Sequence, residues 1–305
     1  MRRRIKPRAL RHGATLGIAA PGGPVDGERV EQGEAVLQEL GFRTLRQGDL
    51  LARHGYLAGD DARRAKELME LVADPRVDGI LCARGGYGCD RILSMLDADK
   101  VRAAAKPLIG YSDVTALLLW QQRLAGLGGF HGPMLDRGED VDPAALSSLA
   151  AQLRGEPAAP LVGVGRGGGV ASGRLVGGSL TLVASSIGTA WEVQARGAIL
   201  LLEDRGERPY RIDRMLQQLR GAGVLAALAG VGVGDFSTCV DERYPQPTAL
   251  DVIEEVVQPL EIPLVTQLPF GHVRENFPWP TGARATLDGE RGELRILERG
   301  VVRAS

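Results

Sequence analysis

Residues 106–120 read KPLIGYSDVTALLLW, and how this stretch divides decides the fold class. Lys106-Pro107 marks a boundary, because the residue before a proline is pushed out of the α region. KPLIGYS then reads as a short buried strand. DVTALLLWQQRLAG reads as an apolar helix that closes on Gly126. The same alternation extends upstream: TLGIAAP (15–21), GERVEQGEAVLQEL (27–40), FRTLRQGD (42–49), DDARRAKELMELVAD (60–74), VDGILCAR (77–84) and CDRILSML (89–96). Within the fourth of these, Leu68, Leu71 and Val72 recur at helical spacing behind an acidic start. GGFHGPML (128–135) completes this half. Short apolar runs alternating with helix-period segments predict an α/β domain built on a parallel sheet.

From 136 to 169 the chain turns rich in Ala, Pro and Gly and loses its periodicity, so it reads as a linker or crossover. That divides the chain into an N-terminal domain (1–135) and a C-terminal domain (170–305). The second half holds the apolar segment GGSLTLVASSIGT (177–189), the strand GAILLLED (197–204) and the helix YRIDRMLQQLRGAG (210–223). There follow the strand LAGVGVGDF (228–236), the helix TALDVIEEVVQPL (248–260), the strand IPLVTQLPFGH (262–272) and a hairpin-like tail, ATLDGERGELRILE (285–298).

Composition narrows the function classes. At 305 residues, two domains or one large one are expected, and 44% hydrophobic with 25% charged residues is ordinary for a globular chain. A formal net charge of -1, with both signs interspersed, offers no footprint for nucleic acid. The three cysteines, Cys82, Cys89 and Cys239, form no C-x-x-C pair and no disulfide framework, which fits a reducing compartment. The start, MRRRIKPRAL, is charged like a signal peptide, but its apolar stretch is short and glycine-interrupted, so ATLGIAA reads as the first strand. No segment has the apolar length of a membrane span. A small-molecule substrate is the expected partner.

Open parallel sheets place their sites at the carboxyl ends of strands. Polar segments stand at such ends here: Arg84-Gly85-Gly86, Gly110-Tyr111-Ser112-Asp113, Glu203-Asp204 and Gly271-His272. A serine between a strand and a helix can present its hydroxyl at a tight turn, with the Asp113 N–H behind it for an oxyanion. The same Ser-Asp is also a common helix cap. A serine nucleophile needs a base, and the choice is among His12, His54, His131 and His272. His12 and His54 lie among surface-type residues. His131 ends a strand, where packing and catalysis are both open, and His272 precedes the irregular VRENFPWPTG. Glu203 ends the apolar AILLLED, where an acid gains little unless it faces a site; Asp204 and Glu207 are its competitors. Ser, Glu, His is the chain order of α/β-hydrolase triads. RGGYG suits an oxyanion or carboxylate, but has neither glycine signature of nucleotide sites. Gly177-Gly178-Ser179 reads as a turn or as pocket lining. No metal or cofactor motif is present.

Taken together, IAAPGG, LCARGGYG, KPLIGYSDVTALL, FHGPM, GGSLTL, GTAWE, ILLLEDRGERPYRIDRMLQQL and LPFGHVREN resemble the LD-carboxypeptidase family of serine peptidases, which also holds the microcin C immunity hydrolases. The resemblance covers nearly the whole chain. It implies a flavodoxin-like or class I amidotransferase-like N-terminal domain, a swivelling β/α C-terminal domain, and a catalytic site between them. It implies Ser112 as nucleophile, Glu203 as acid, His272 as base, and backbone N–H groups of Asp113 and Gly86 as oxyanion donors. Arg84, Gly85, Tyr111, Ser179 and Trp191 become candidate substrate contacts; Arg84 suits a substrate carboxylate or a structural ion pair equally. The chain departs from the family at Ser179, where Asn is usual, and at Ala190, where Pro often precedes the aromatic. The implied reaction removes the terminal D-alanine from peptidoglycan-derived tetrapeptides in the cytoplasm, without metal or cofactor. The alternatives are hydrolysis of an acyl-sulfamoyl adenylate, with Trp191 stacking on adenine, and non-catalytic muropeptide binding. A homodimer is implied by the resemblance alone.

Overall fold

The computed structural model describes residues 2–135 and 141–302. The N-terminal unit runs β1 (Thr15–Ala19), α1 (Gly27–Glu39), β2 (Arg43–Arg46), α2 (Asp61–Ala73), β3 (Gly79–Cys82), α3 (Cys89–Ile92), α4 (Ala98–Ala104), β4 (Leu108–Ile109), α5 (Thr115–Trp120) and β5 (Phe130–His131). Its strands lie in the order β2-β1-β3-β4-β5, all parallel. This is the flavodoxin-like order, and it reverses between β1 and β3, where such sheets open a ligand crevice. The helices start where the sequence supplies caps: Asp26 accepts from Arg29 N, Asp60 from Arg63 N, and Asp97 from Asp99 N and Lys100 N. The last of these opens α4, a helix too short for its periodicity to be legible. Leu68, Leu71 and Val72 are buried as their spacing predicted. α5 does not stop at Trp120 but relaxes into a π-turn over Gln121–Ala125, closed by Gly126 at φ 64°.

The second unit runs α6 (Pro143–Leu153), β6 (Leu161–Val162), β7 (Val164–Gly165), β8 (Val170–Ser179), α7 (Leu180–Ser185), β9 (Ala198–Glu203), α8 (Pro209–Gly221), β10 (Gly230–Val233), α9 (Ala249–Val257), β11 (Leu264–Thr266), β12 (Trp279–Pro280), β13 (Arg284–Asp288) and β14 (Glu293–Ile296). The eight-stranded order is β6-β14-β13-β8-β9-β10-β11-β7. β8 to β11 are parallel, and the flanking strands antiparallel. Because β6 and β7, separated only by Gly163, occupy its two edges, the sheet rolls round on itself.

Two expectations are corrected, and one feature is new. The stretch 136–169 is more than a connection: its first residues, 136–140, lie outside the described ones, but α6 starts on the Asp142 cap and buries Leu149, Ala150 and Leu153 in the first unit's core. β6 and β7 then already belong to the second sheet. Gly177-Gly178-Ser179 is not a turn: the three residues end the ten-residue β8, and α7 follows directly at Leu180. Finally, the halves interlock: β12 leaves the second unit and pairs antiparallel with β5, Trp279 opposite His131. Thr281 exchanges hydrogen bonds with Gly129 alongside, and Val302 accepts from Ala9 N at 2.8 Å. An edge strand left open at β5 would expose unpaired backbone groups.

β9 shows how the core aims a side chain. All six of its residues are buried, and Ala198, Leu200 and Leu202 pack with the helices while Ile199 and Leu201 pack with Phe270 and Trp279. Period-two alternation therefore sends Glu203 to the Phe270 and Trp279 side. Among the described residues, no helix is long and apolar enough to cross a membrane. Cys82, Cys89 and Cys239 are free and buried, and burial pushes their thiols up.

Candidate active site

Ser112 follows β4 of the first sheet, Glu203 ends β9 and His272 follows β11 of the second, and the three meet. Ser112 follows β4 at φ 60°, a left-handed conformation costing a non-glycine residue about 1–3 kcal/mol. That strain turns the chain sharply between strand and helix. The capping alternative fails here: the turn Ser112–Val114 and α5 both start without a side-chain cap bond. The Ser112 hydroxyl instead lies 3.2 Å from His272 Nε2.

His272 stands in the loop after β11, and its Nδ1 lies 2.7 Å from Glu203 Oε2. Glu203 is fully buried. Burial alone would raise its pKa, but the His131 and His272 imidazoles outweigh that and hold it at about 2. An ionised carboxylate can only accept, so the ring hydrogen of His272 occupies Nδ1 and the Nε2 lone pair faces Ser112. For His272 itself, burial opposes the charged form; the Glu203 bond and charge overcome it and raise the pKa.

Two glycines permit this approach. Gly271 adopts φ 115°, and a Cβ there would stand 2.9 Å from Glu203 Cβ and 3.1 Å from Asp235 Cβ. Its N–H donates to the buried Asn276 Oδ1 at 2.9 Å, which ties down the loop. Gly85 places its Cα against Ser112: a Cβ there would lie 3.2 Å from both Ser112 Oγ and Asp113 N. Gly86 follows at φ 84°, backed onto Gly23. Asp113 Oδ2 accepts from Cys89 N at 2.9 Å, so the RGGYG loop and the GYSD turn are fastened together.

The remaining candidates divide. Arg84 is exposed and donates through Nη1 to Pro24 O at 2.8 Å. Tyr111 is buried; its ring packs 4.9 Å from His272 and 5.6 Å from His131, so it lies against imidazoles rather than open cleft. Ser179 is buried opposite Glu203 in the β8–β9 register, its N–H on Thr115 Oγ1 and its hydroxyl 3.4 Å from Asp204 Oδ2. Trp191 is half-buried against the core of the N-terminal unit. His12 and His54 are exposed.

Two features escaped the sequence reading. Asp204, one of the competitors for the acid role, turns the other way and accepts from Thr181 N at 2.7 Å and Thr181 Oγ1 at 2.8 Å. Burial, with Glu203 beside it, raises its pKa to about 6. His131, left open between packing and catalysis, is fully buried with Nε2 3.8 Å from Glu203 Oε1. Pairing of β5 with β12 put it there, and no local signal announces that. Among the described residues, no group of three His, Cys, Asp or Glu side chains is placed to hold a metal ion.

Comparison with known proteins agrees with this architecture. The LD-carboxypeptidase N-terminal domain matches residues 16–132, and the LD-carboxypeptidase C-terminal domain matches residues 172–287. A probable murein peptide carboxypeptidase of Bacillus subtilis is 37% identical over 97% of this chain and 95% of its own. A murein tetrapeptide carboxypeptidase of Pseudomonas aeruginosa is 34% identical over 79% of this chain and 82% of its own. Among solved structures, muramoyltetrapeptide carboxypeptidase from Oxalobacter formigenes superposes with a TM-score of 0.84 at 31% identity, covering 93% of this chain and 98% of that one. The microcin C7 self-immunity protein MccF superposes at 0.90 with 23% identity, over 98% of this chain and 100% of its own, a likeness of fold alone. The two family matches fall one on each of the interlocked α/β units, and with the relatives above 30% identity they show that the chain belongs to the LD-carboxypeptidase family.

Proposed function

We propose that this chain is a serine carboxypeptidase that hydrolyses the bond to the terminal D-alanine of peptidoglycan-derived tetrapeptides, leaving tripeptides, in cytoplasmic murein recycling. The observation that carries the reading is His272 standing between Ser112 Oγ at 3.2 Å and Glu203 Oε2 at 2.7 Å. Ser112 Oγ attacks the carbonyl carbon and its proton passes to His272 Nε2. Glu203 keeps the tautomer and stabilises the imidazolium. Backbone N–H groups of Asp113 and Gly86 are the donors assigned to the developing oxyanion. His272 then gives its proton to the leaving amine, and water repeats the sequence on the acyl-enzyme.

Identity favours the murein substrate over an acyl-sulfamoyl adenylate: the murein carboxypeptidases stand at 34–37%, MccF at 26%. The serine–imidazole distance favours an enzyme over a non-catalytic muropeptide binder. Mass spectrometry of a muropeptide panel and of aspartyl sulfamoyl adenosine, incubated side by side with wild type and Ser112→Ala, tests all three. Release of D-alanine by wild type alone is expected. Cleavage of the adenylate alone would replace the substrate, and no turnover of either would leave the binder.

A further inference from the structure

We infer that His131 is a positioning residue: from the N-terminal unit it holds Glu203 of the C-terminal unit through Oε1, so that Oε2 stays on His272. The inference rests on the triad reading above and adds a fourth side chain to it.

Three observations carry it. The two carboxylate oxygens have different surroundings: Oε2 is bonded to His272 Nδ1 at 2.7 Å, and Oε1 lies 3.8 Å from His131 Nε2. Oε1 has no hydrogen-bond partner, nor has either ring nitrogen of His131, although all three atoms are buried, so the 3.8 Å separation is an approach that stops short of a bond. An isolated buried ionised oxygen is costly, so a donor poised beside it is a functional arrangement rather than a neutral one. Second, the ring is locked: it stacks on Trp279 at 4.9 Å and 12°, meets Phe270 edge-on at 5.7 Å, and is flanked by Tyr111 at 5.6 Å. Third, the elements that lock it belong to both units, because Trp279 is paired with His131 across β12 and β5. His131 therefore registers one unit against the other at the point where Ser112 must meet His272.

Chemistry fixes the form of the ring. Burial lowers the pKa of His131, so the imidazole is neutral. The carboxylate selects the tautomer with hydrogen on Nε2, directed at Oε1. The titratable groups facing His131 are Glu203, His272 and the Tyr111 phenol; those facing His272 are Glu203, Asp204, Arg205, His131, Tyr111 and Ser112. No proton need leave His131 during turnover.

A fluorophosphonate probe reads the assembled triad without assuming the peptide substrate: Ser112 Oγ bonds to phosphorus, fluoride leaves, and the serine proton goes to His272. The labelling rate is measured against pH for wild type, His131→Phe, His131→Gln and His131→Asn, with Ser112→Ala as control. Phe keeps the stack on Trp279 and loses the donor; Gln loses the stack and keeps an N–H of suitable reach; Asn is too short. Expected is the order wild type, Gln, then Phe, with Phe slower by about tenfold or more. Its labelling midpoint should fall to lower pH, because the Glu203 contact that raises His272 loosens. A merely packing role gives the opposite order, Phe faster than Gln, with an unmoved midpoint, and overturns the inference. If Phe does not fold, Gln against Asn decides: Gln faster supports, equality overturns. Wild type that fails to label refutes the serine reading itself, a failure the control separates from this one.

Discussion

Ser112 and His272 lie 160 positions apart in the chain and 3.2 Å apart in space, Oγ to Nε2. One comes from the turn after β4 in the first sheet, the other from the loop after β11 in the second. The contact thus exists only when the two units are docked, and it puts a strained serine opposite the lone pair of an imidazole oriented from behind.

Removing either partner should abolish turnover while leaving a folded protein. Ser112→Ala and His272→Ala are each expected to lower kcat by about 10⁴-fold or more. Ser112→Gly separates chemistry from strain: it is equally inactive, yet relieves the left-handed φ of 60° and should unfold at higher temperature, by about 1 kcal/mol at the midpoint. Thermal denaturation of the three variants checks this; a Gly variant less stable than Ala would sink the strain account.

Gly85→Ala should separate binding from rate. The new methyl would lie 3.0 Å from Ser112 Cβ and 3.2 Å from Asp113 N, in the space an oxyanion must enter. The expected outcome is a fall in kcat of about 10²-fold with little change in KM, since a methyl that crowds the oxyanion away from its donors costs about as much as removing one donor. Steady-state kinetics on the muropeptide substrate reads both constants.

At Gly271 the same substitution should cost both activity and stability. Its φ of 115° disfavours any side chain, and the methyl would press on Glu203 Cβ at 2.9 Å. Displacement of the carboxylate by about 1 Å is expected to cost about 10²-fold in kcat. Gly271→Ala should also unfold at lower denaturant, unlike Gly85→Ala.

Stability should follow pH in three windows. Glu203, depressed from 4.5 to about 2, contributes stability that is present above 4.5 and lost as pH falls towards about 2. Asp204 has the opposite sign: raised from 3.8 to about 6, it favours the folded state at low pH and loses that contribution as pH rises from 3.8 to about 6. His272, raised above 6.5, contributes fully below 6.5 and loses it as pH climbs through its folded value. Turnover runs the other way there, because only the neutral imidazole is a base. Denaturant titrations of wild type and Asp204→Asn from pH 2 to 8 should differ in slope chiefly between about pH 4 and 6; parallel curves would refute the Asp204 assignment.

Much of this was legible before any coordinates. Lys106-Pro107 and the apolar run after Asp113 marked a strand-to-helix turn, and the alternation around it marked parallel α/β units, because helix and strand periods are local properties of the chain. The Ser-Glu-His order also stood in the sequence. The helix-cap reading that the same Ser-Asp pair allows does not hold: capping depends on one turn of backbone, and Ser112 sits outside that geometry at positive φ.

The amino-acid sequence by itself determined the alternation of short buried strands with helices and the short list of histidines; which face of β9 Glu203 takes follows from the packing of its neighbours on Phe270 and Trp279. Tertiary structure alone decided which histidine meets which oxygen. β12 crosses back to pair with β5, carrying Trp279 onto His131, and the second sheet rolls so that β6 and β7 take its opposite edges. Such pairings join strands more than a hundred residues apart, and their register is set by burial and hydrogen bonding summed over whole sheets, which no window of neighbouring residues contains.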